Sequence, residues 1–210
     1  MCALPERARI GEVVETSTVQ FVVECDELDS VPELGSFVRV AGTGVDAIYG
    51  VVAYAETGTV DPGRRVVRRG SPALQDRALY EANPELRFVL RSLFVAVAVA
   101  FEQSGELVFL VPPYPPPLHY SVEVVDDATV LRLTQRLAYL PLLERFQGPV
   151  PAEQLLAAHL RYVYRTRGND QSWLEAAARE LARLLKRDYD RLSGVLTALE
   201  GALITEQPLQ

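Results

Sequence analysis

The sequence is poor in the residues that carry most enzyme chemistry. Its 210 residues include two histidines, two cysteines, one tryptophan and a single lysine, Lys186. Cys2 and Cys25 show no metal-ligand spacing and no CxxC, and two cysteines make no disulfide framework. Reduced thiols and a cytoplasmic location are therefore expected. His119 and His159 fall in different elements, which is too little for a metal site. No G-x-x-x-x-G-K-[ST] is present. Lys186 follows Leu184-Leu185 instead of a glycine loop, so it cannot cradle phosphate. A G-x-S-x-G elbow is missing too. The longest apolar run, Leu93–Phe101, is too short to cross a bilayer, and the start MCALPERAR has no apolar core of a secretory leader. No cofactor and no metal are expected, and catalysis is not expected.

What is present describes a folded protein. About half the residues are hydrophobic (49%) and 23% are charged, which argues against disorder. The net charge of −7 argues against a general binder of DNA or of anionic membranes. Twenty arginines accompany the one lysine, a bias that suits GC-rich coding or planar, bidentate ion pairing.

The first half reads as strands. Valine-rich ARIGEVVE (8–15) and TVQFVVE (18–24) flank Thr16-Ser17 and predict a hairpin. GSFVRVAG (35–42) and AIYGVVAYAE (47–56) follow, the latter with a mid-strand glycine, Gly50, that marks a bulge, a bend or a close approach. RRVVRRG (64–70) predicts a short basic strand or edge. Ser71-Pro72 and Asn83-Pro84 each place a capping residue before a proline, predicting helices over about 72–82 and 84–92 as an insertion. LFVAVAVAF (93–101), ELVFLV (106–111) and HYSVEVV (119–125) predict three more strands, the last two joined by the proline-rich PPYPPPL.

From Asp126 the period becomes helical. Asp126/Asp127 are positioned to cap a helix carrying Leu131, Leu133, Leu137 and Leu140, which Pro141 kinks or ends. Pro149/Pro151 introduce a helix with Leu155, Leu156, His159, Leu160 and Val163 on one face, and Gly168 stops it. Ser172 and Glu175 form a capping box for one last long helix. The expectation is an α+β chain: a small antiparallel β-barrel over residues 8–125, with the helical insertion, and an all-α region over 126–204. Its helices pack on the barrel or on one another.

The ordered segments IGEVV (10–14), LGSFVRV (34–40), YGVV (49–52), VAVAF (97–101), SGELVFLVPPYPPPLHYSVEVV (104–125) and DDATVL (126–131) resemble the HAS-barrel. That small domain begins HerA-type hexameric DNA-translocating ATPases and the nucleotide-binding subunits of rotary ATP synthases. The resemblance spans roughly residues 8–130. It departs where the family's proline segment ends in Pro-Gly, since here Pro117 is followed by Leu118-His119, and only about 80 residues remain where an ATPase would begin. It implies a stand-alone assembly barrel that packs subunits or docks partners. Such a partner would be a HerA-like ATPase or its associated nuclease, or a second copy of the chain.

Candidate sites follow from the residues themselves. His159 on an apolar face reads as a core histidine, and His119 as a loop anchor. Adjacent Asp126 and Asp127 diverge by about 100° on a helix, so they read as a cap, not an acid–base pair. Arg64, Arg65, Arg68 and Arg69 divide between the two faces of a strand. Arg179, Arg183, Arg187 and Arg191 recur every four residues and predict a cationic stripe. Glu175, Glu180, Asp188 and Asp190 sit within pairing distance along the helix. The stripe is therefore a self-neutralised face, a protein-docking face or, as the alternative, a nucleic-acid contact. Pro112, Pro113, Tyr114, Pro115, Pro116 and Pro117 with His119 read as a rigid connector between strands, because proline cannot join a ladder. An exposed PxxP ligand is the competing reading.

Overall fold

A computed structural model describes residues 9–61, 63, 66–72 and 74–204. The chain is mixed α+β. Among the described residues, seven strands form one antiparallel sheet: β1 (Arg9–Thr16), β2 (Gln20–Cys25), β3 (Phe37–Val40), β4 (Ala47–Thr59), β5 (Leu90–Gln103), β6 (Glu106–Val108) and β7 (Ser121–Val124). Their order is β2-β1-β7-β3-β4-β5-β6, and β2 pairs with β5 as well, from Gln20 opposite Val97 to Glu24 opposite Leu93. The β1–β2 hairpin turns where expected, with the Ser17 amide donating to the Gln20 carbonyl at 2.9 Å.

Alternation sets the two faces of this sheet. Val13, Phe21, Val38, Val40, Ile48, Val52, Phe94, Ala96, Ala98 and Val122 point to one side and form a core among the strands. Phe37, Tyr49, Val51, Ala53, Val97 and Val99 point to the other and share a core with the helices. Alanine thus alternates with valine along β5 because the inner side has less room. Gly50 obeys the same constraint. A Cβ there would lie 2.9 Å from Cζ of Phe21 and 3.0 Å from Cβ of Ala96, and the ladder to β5 shifts register between Tyr49 and Gly50.

The helices are α1 (Asp76–Ala82), α2 (Leu86–Val89), α3 (Asp127–Leu133), α4 (Leu140–Glu144), α5 (Ala152–Thr166), α6 (Gln171–Leu184) and α7 (Tyr189–Ile204). Helix α5 is central. Its Leu155, Leu156, His159, Leu160 and Val163 are fully buried, the face that the spacing predicts. It packs against α4, α6 and α7 and, through Leu155–Val163, belongs to the same core as the outer side of the sheet. Asp126 caps α3 by accepting from the Thr129 amide at 2.7 Å. Replacing Asp126 with Ala should cost about 1 kcal/mol in urea unfolding, the usual loss for a helix cap.

Several expectations need correction. The predicted helix over 84–92 yields to a strand from Leu90, because Thr57–Thr59 of β4 pair with Leu90–Ser92. Helix α1 begins at Asp76, four residues later than expected. RRVVRRG forms no strand over 66–70, and Arg64 and Arg65 lie outside the described residues. Strand β6 ends at Val108 because Phe109 leaves the ladder to stack on Tyr139, with ring centroids 6.2 Å apart. Pro141 does not end a helix. Helix α3 stops at Leu133, and Pro141 sits in the first turn of α4, where a missing N–H costs nothing. The cap of α6 is Asp170, accepting from the Trp173 amide at 3.0 Å, and not the Ser172/Glu175 pair. The single long last helix is two helices, α6 and α7, separated at residues 185–188. Asp188 restarts the chain by accepting from the Arg191 amide at 3.1 Å.

Candidate interaction surfaces

The break between α6 and α7 dismantles the predicted cationic stripe. Arg179 and Arg183 stay on α6, where Arg179 lies 3.8 Å from Glu175 and Arg183 forms two hydrogen bonds to Glu180. Arg187 is exposed in the turn between the helices. Arg191 lies against α4 and α5, with its side chain 34% exposed, and bridges Glu144 and Glu153, each at 2.5 Å. That bridge ties α7 to α4 and α5, and the hydrogen bond from Arg191 holds the Glu153 carboxyl below its ordinary range. The arginines therefore do not form one face. At the insertion, Arg69 pairs with Glu85 at 2.8 Å, and Arg68 is exposed.

The proline segment is fixed at its far end. The Thr16 hydroxyl donates to the Pro116 carbonyl at 2.8 Å, and Pro112 and Pro116 are buried. The His119 amide donates to Val13 at 2.8 Å, and the Val13 amide donates to Tyr120 at 3.0 Å, so β1 grips the chain just before β7. His119 takes a φ of 64°, and its Nδ1 lies 3.1 Å from a Glu12 carboxylate oxygen. Its ring is on the surface, as are Pro113, Tyr114 and Pro115.

His159 is the opposite case. Its ring is fully buried between Phe37 and Tyr139, each edge-on, with centroids 5.0 and 5.3 Å away. Nδ1 lies 2.7 Å from the Gly35 carbonyl, which only accepts, so Nδ1 carries the proton. Nε2 is then the acceptor for the Tyr139 hydroxyl at 2.9 Å. Burial pushes the imidazole down to about 4, against the pull of the Gly35 carbonyl, and pushes the Tyr139 phenol far up. Both groups are neutral and both ring nitrogens of His159 have partners, which makes the pair a polar lock between α5, the β3 approach and Tyr139. A second network holds α3 to the sheet. Glu102 accepts from Tyr49 at 2.8 Å and from Arg132. Burial works to raise the Glu102 carboxyl, but these two hydrogen bonds outweigh it and hold it low. Trp173 also binds elements together, donating its Nε1–H to the Thr134 carbonyl at 2.9 Å while Arg167 covers its ring.

Apart from these networks, one surface is conspicuously apolar, and the sequence reading missed it. Beyond the last β2–β5 rung at Leu93, strands β4 and β5 continue as a two-stranded ribbon to Thr59 opposite Leu90. At its tip Val67, Phe88 and Val66 are 75%, 70% and 64% exposed, with Val60 and Val89 beside them. They line a groove of about 380 Å³ bordered by Asp61 and Arg69. Arg87 lies over the Phe88 ring, 4.8 Å from its centroid. The available signal was Val66-Val67 set between arginine pairs in a segment without strand partners.

The fold thus defines the class: an α+β protein whose antiparallel sheet carries a helical layer on one side. A scan against protein-family models finds no match for this chain, and no curated protein matches it. Among the described residues, no helix is long and apolar enough to cross a membrane.

Proposed function

We propose that this chain is a non-enzymatic interaction and assembly module built on a small closed barrel of the HAS type. The ladder between β2 and β5 supports closure, because it links β2, β1, β7, β3, β4 and β5 in a ring and leaves β6 as an appendage of β5. The observation that carries the functional reading is the exposed apolar tip of the β4–β5 ribbon, a surface of the kind that proteins bury against partners. Four titratable side chains with shifted affinities serve instead as internal struts: His159 and Tyr139 in the core, Glu102 and Glu153 under arginines. By resemblance alone, the partner is a HerA-like translocating ATPase or its associated nuclease.

The test is co-sedimentation of the purified chain with a HerA-type ATPase, together with ATPase and nuclease assays on the chain by itself. A stable complex and no turnover by the chain are expected. Turnover that vanishes when residues of this chain are changed would refute the reading. The nucleic-acid alternative loses its contiguous stripe, since Arg191 is held by Glu144 and Glu153 on another helix face and Arg183 by Glu180.

A further inference from the structure

We infer that the groove between α4 and the β2–β5 seam binds a small amphipathic carboxylate, an unbranched apolar tail with an anionic head. The site is separate from the ribbon tip. It lies seven to eight residues along β5 from Leu90, roughly 25 Å away.

Two local features make the groove. The Ala98 amide donates to the Val19 carbonyl at 2.9 Å, which lays the β1–β2 turn against β5. Helix α4 packs on β5 and ends at Glu144, which brings residues 145–147 beside that turn. Val97 and Ala98 are buried and form the floor. Val19, Val111, Leu142 and Phe146 form the walls. The groove measures about 370 Å³, and small-molecule sites span roughly 300–1,000 Å³. Its polar lining is Arg145, Gln20 and Gln147, with no carboxylate.

Arg145 selects the head. Its side chain forms no ion pair among the described residues, and it is the one charged residue lining the groove. Glu144, its neighbour in sequence, is held by Arg191 at 2.5 Å and leaves Arg145 uncompensated. A guanidinium takes a carboxylate through two parallel N–H···O bonds. The side-chain amides of Gln20 and Gln147 are further donors at the same rim. The walls select the tail. A carbon chain gains from burial against them. A peptide would need partners for its own N–H and C=O groups, and the floor has no free strand edge to supply them. Val97 is already flanked by Gln20 on one side and Val51 on the other.

The experiment titrates octanoate into the full chain and follows backbone amides by NMR. Octanoate is expected to shift the amides of Gln20, Ala98, Val111 and Gln147 saturably and to leave Val67 and Phe88 at the ribbon tip unmoved. Hexanoate, two methylenes shorter, should bind roughly tenfold more weakly. Octanol keeps the tail without the charge and should also lose about tenfold. Arg145→Ala should lower octanoate affinity to the level of octanol and leave octanol unchanged. Arg145 is exposed and unpaired, so this change spares the fold. Val19→Asp, at a position 54% exposed, sets a carboxylate in the groove and should weaken octanoate by about tenfold or more. The inference is overturned if the groove amides show no saturable shift. Equal affinity for octanoate and octanol overturns it too, as does octanoate binding that Arg145→Ala leaves unchanged. Tighter binding of acetyl-Ala-Ala-Leu with a free carboxylate would make the groove a peptide dock and overturn the small-molecule assignment.

Discussion

Gly35→Ala should destabilise the protein by about 4 kcal/mol in urea unfolding. Two costs combine. Gly35 has a φ of 85°, where an L side chain is strained by roughly 1–3 kcal/mol. Its Cβ would also sit 2.5 Å from the backbone nitrogen of His159 and 2.6 Å from its Cα. Those are atoms of α5, so they move only if the whole helix moves. Overpacking of this sort costs a further 1–3 kcal/mol or more. The position is a clamp as well. The Gly35 amide donates to Val52 of β4 at 2.8 Å while its carbonyl accepts from His159. Gly168→Ala supplies the control. Gly168 also has a positive φ, 67°, but a Cβ there meets nothing within 4 Å. It should lose only the strain, about 1 kcal/mol. Equal losses at the two positions would show that backbone strain alone, and not the close approach of α5, sets the cost at Gly35.

Acidification should remove about 3 kcal/mol of stability between pH 7 and pH 4 through His159. The folded imidazole is held neutral by burial, down to about 4 from an ordinary 6.5. In the unfolded chain it takes up a proton as pH falls through 6.5, and the folded state does so only near 4. The unfolded state therefore binds more protons across that window, and stability falls as pH falls, by up to about 1.4 kcal/mol per unit. Glu102 and Glu153 are held below 4.5, so their contributions are complete above that value and disappear below it. The slope between pH 6.5 and 4.5 is therefore compared with that of a variant lacking this histidine. His159→Gln lowers stability at every pH, since Tyr139 and Gly35 lose well-placed partners, but the share of the slope due to His159 should vanish across that window. A variant with the wild-type slope would assign the effect to another group.

The features legible in the sequence are those set by short-range physics. The buried face of α5, its start after Pro151 and its stop at Gly168, where φ is 67°, follow from periodicity and from two residues with fixed backbone habits. Asp126 as a cap depends on an amide three residues away. The β1–β2 turn is equally local. Alternation in β5 identified two faces, although it could not tell which face is enclosed.

What only the tertiary structure decided depends on distant partners. Residues 90–92 had helical signals, yet the ladder with Thr57–Thr59 claims them, because paired backbone groups outweigh weak propensity. The last helix breaks because α7 must bring Val195 and Leu199 onto the core and turn Arg191 toward Glu144 and Glu153, 47 and 38 residues earlier. Asp188 was the one local hint of that restart. The lock between Gly35 and His159 joins residues 124 apart, a contact that no spacing rule can express. The apolar tip was hidden for a related reason. Val66, Val67 and Phe88 look like core residues in sequence, and only the fold shows that the ribbon carries them past every strand that would have covered them.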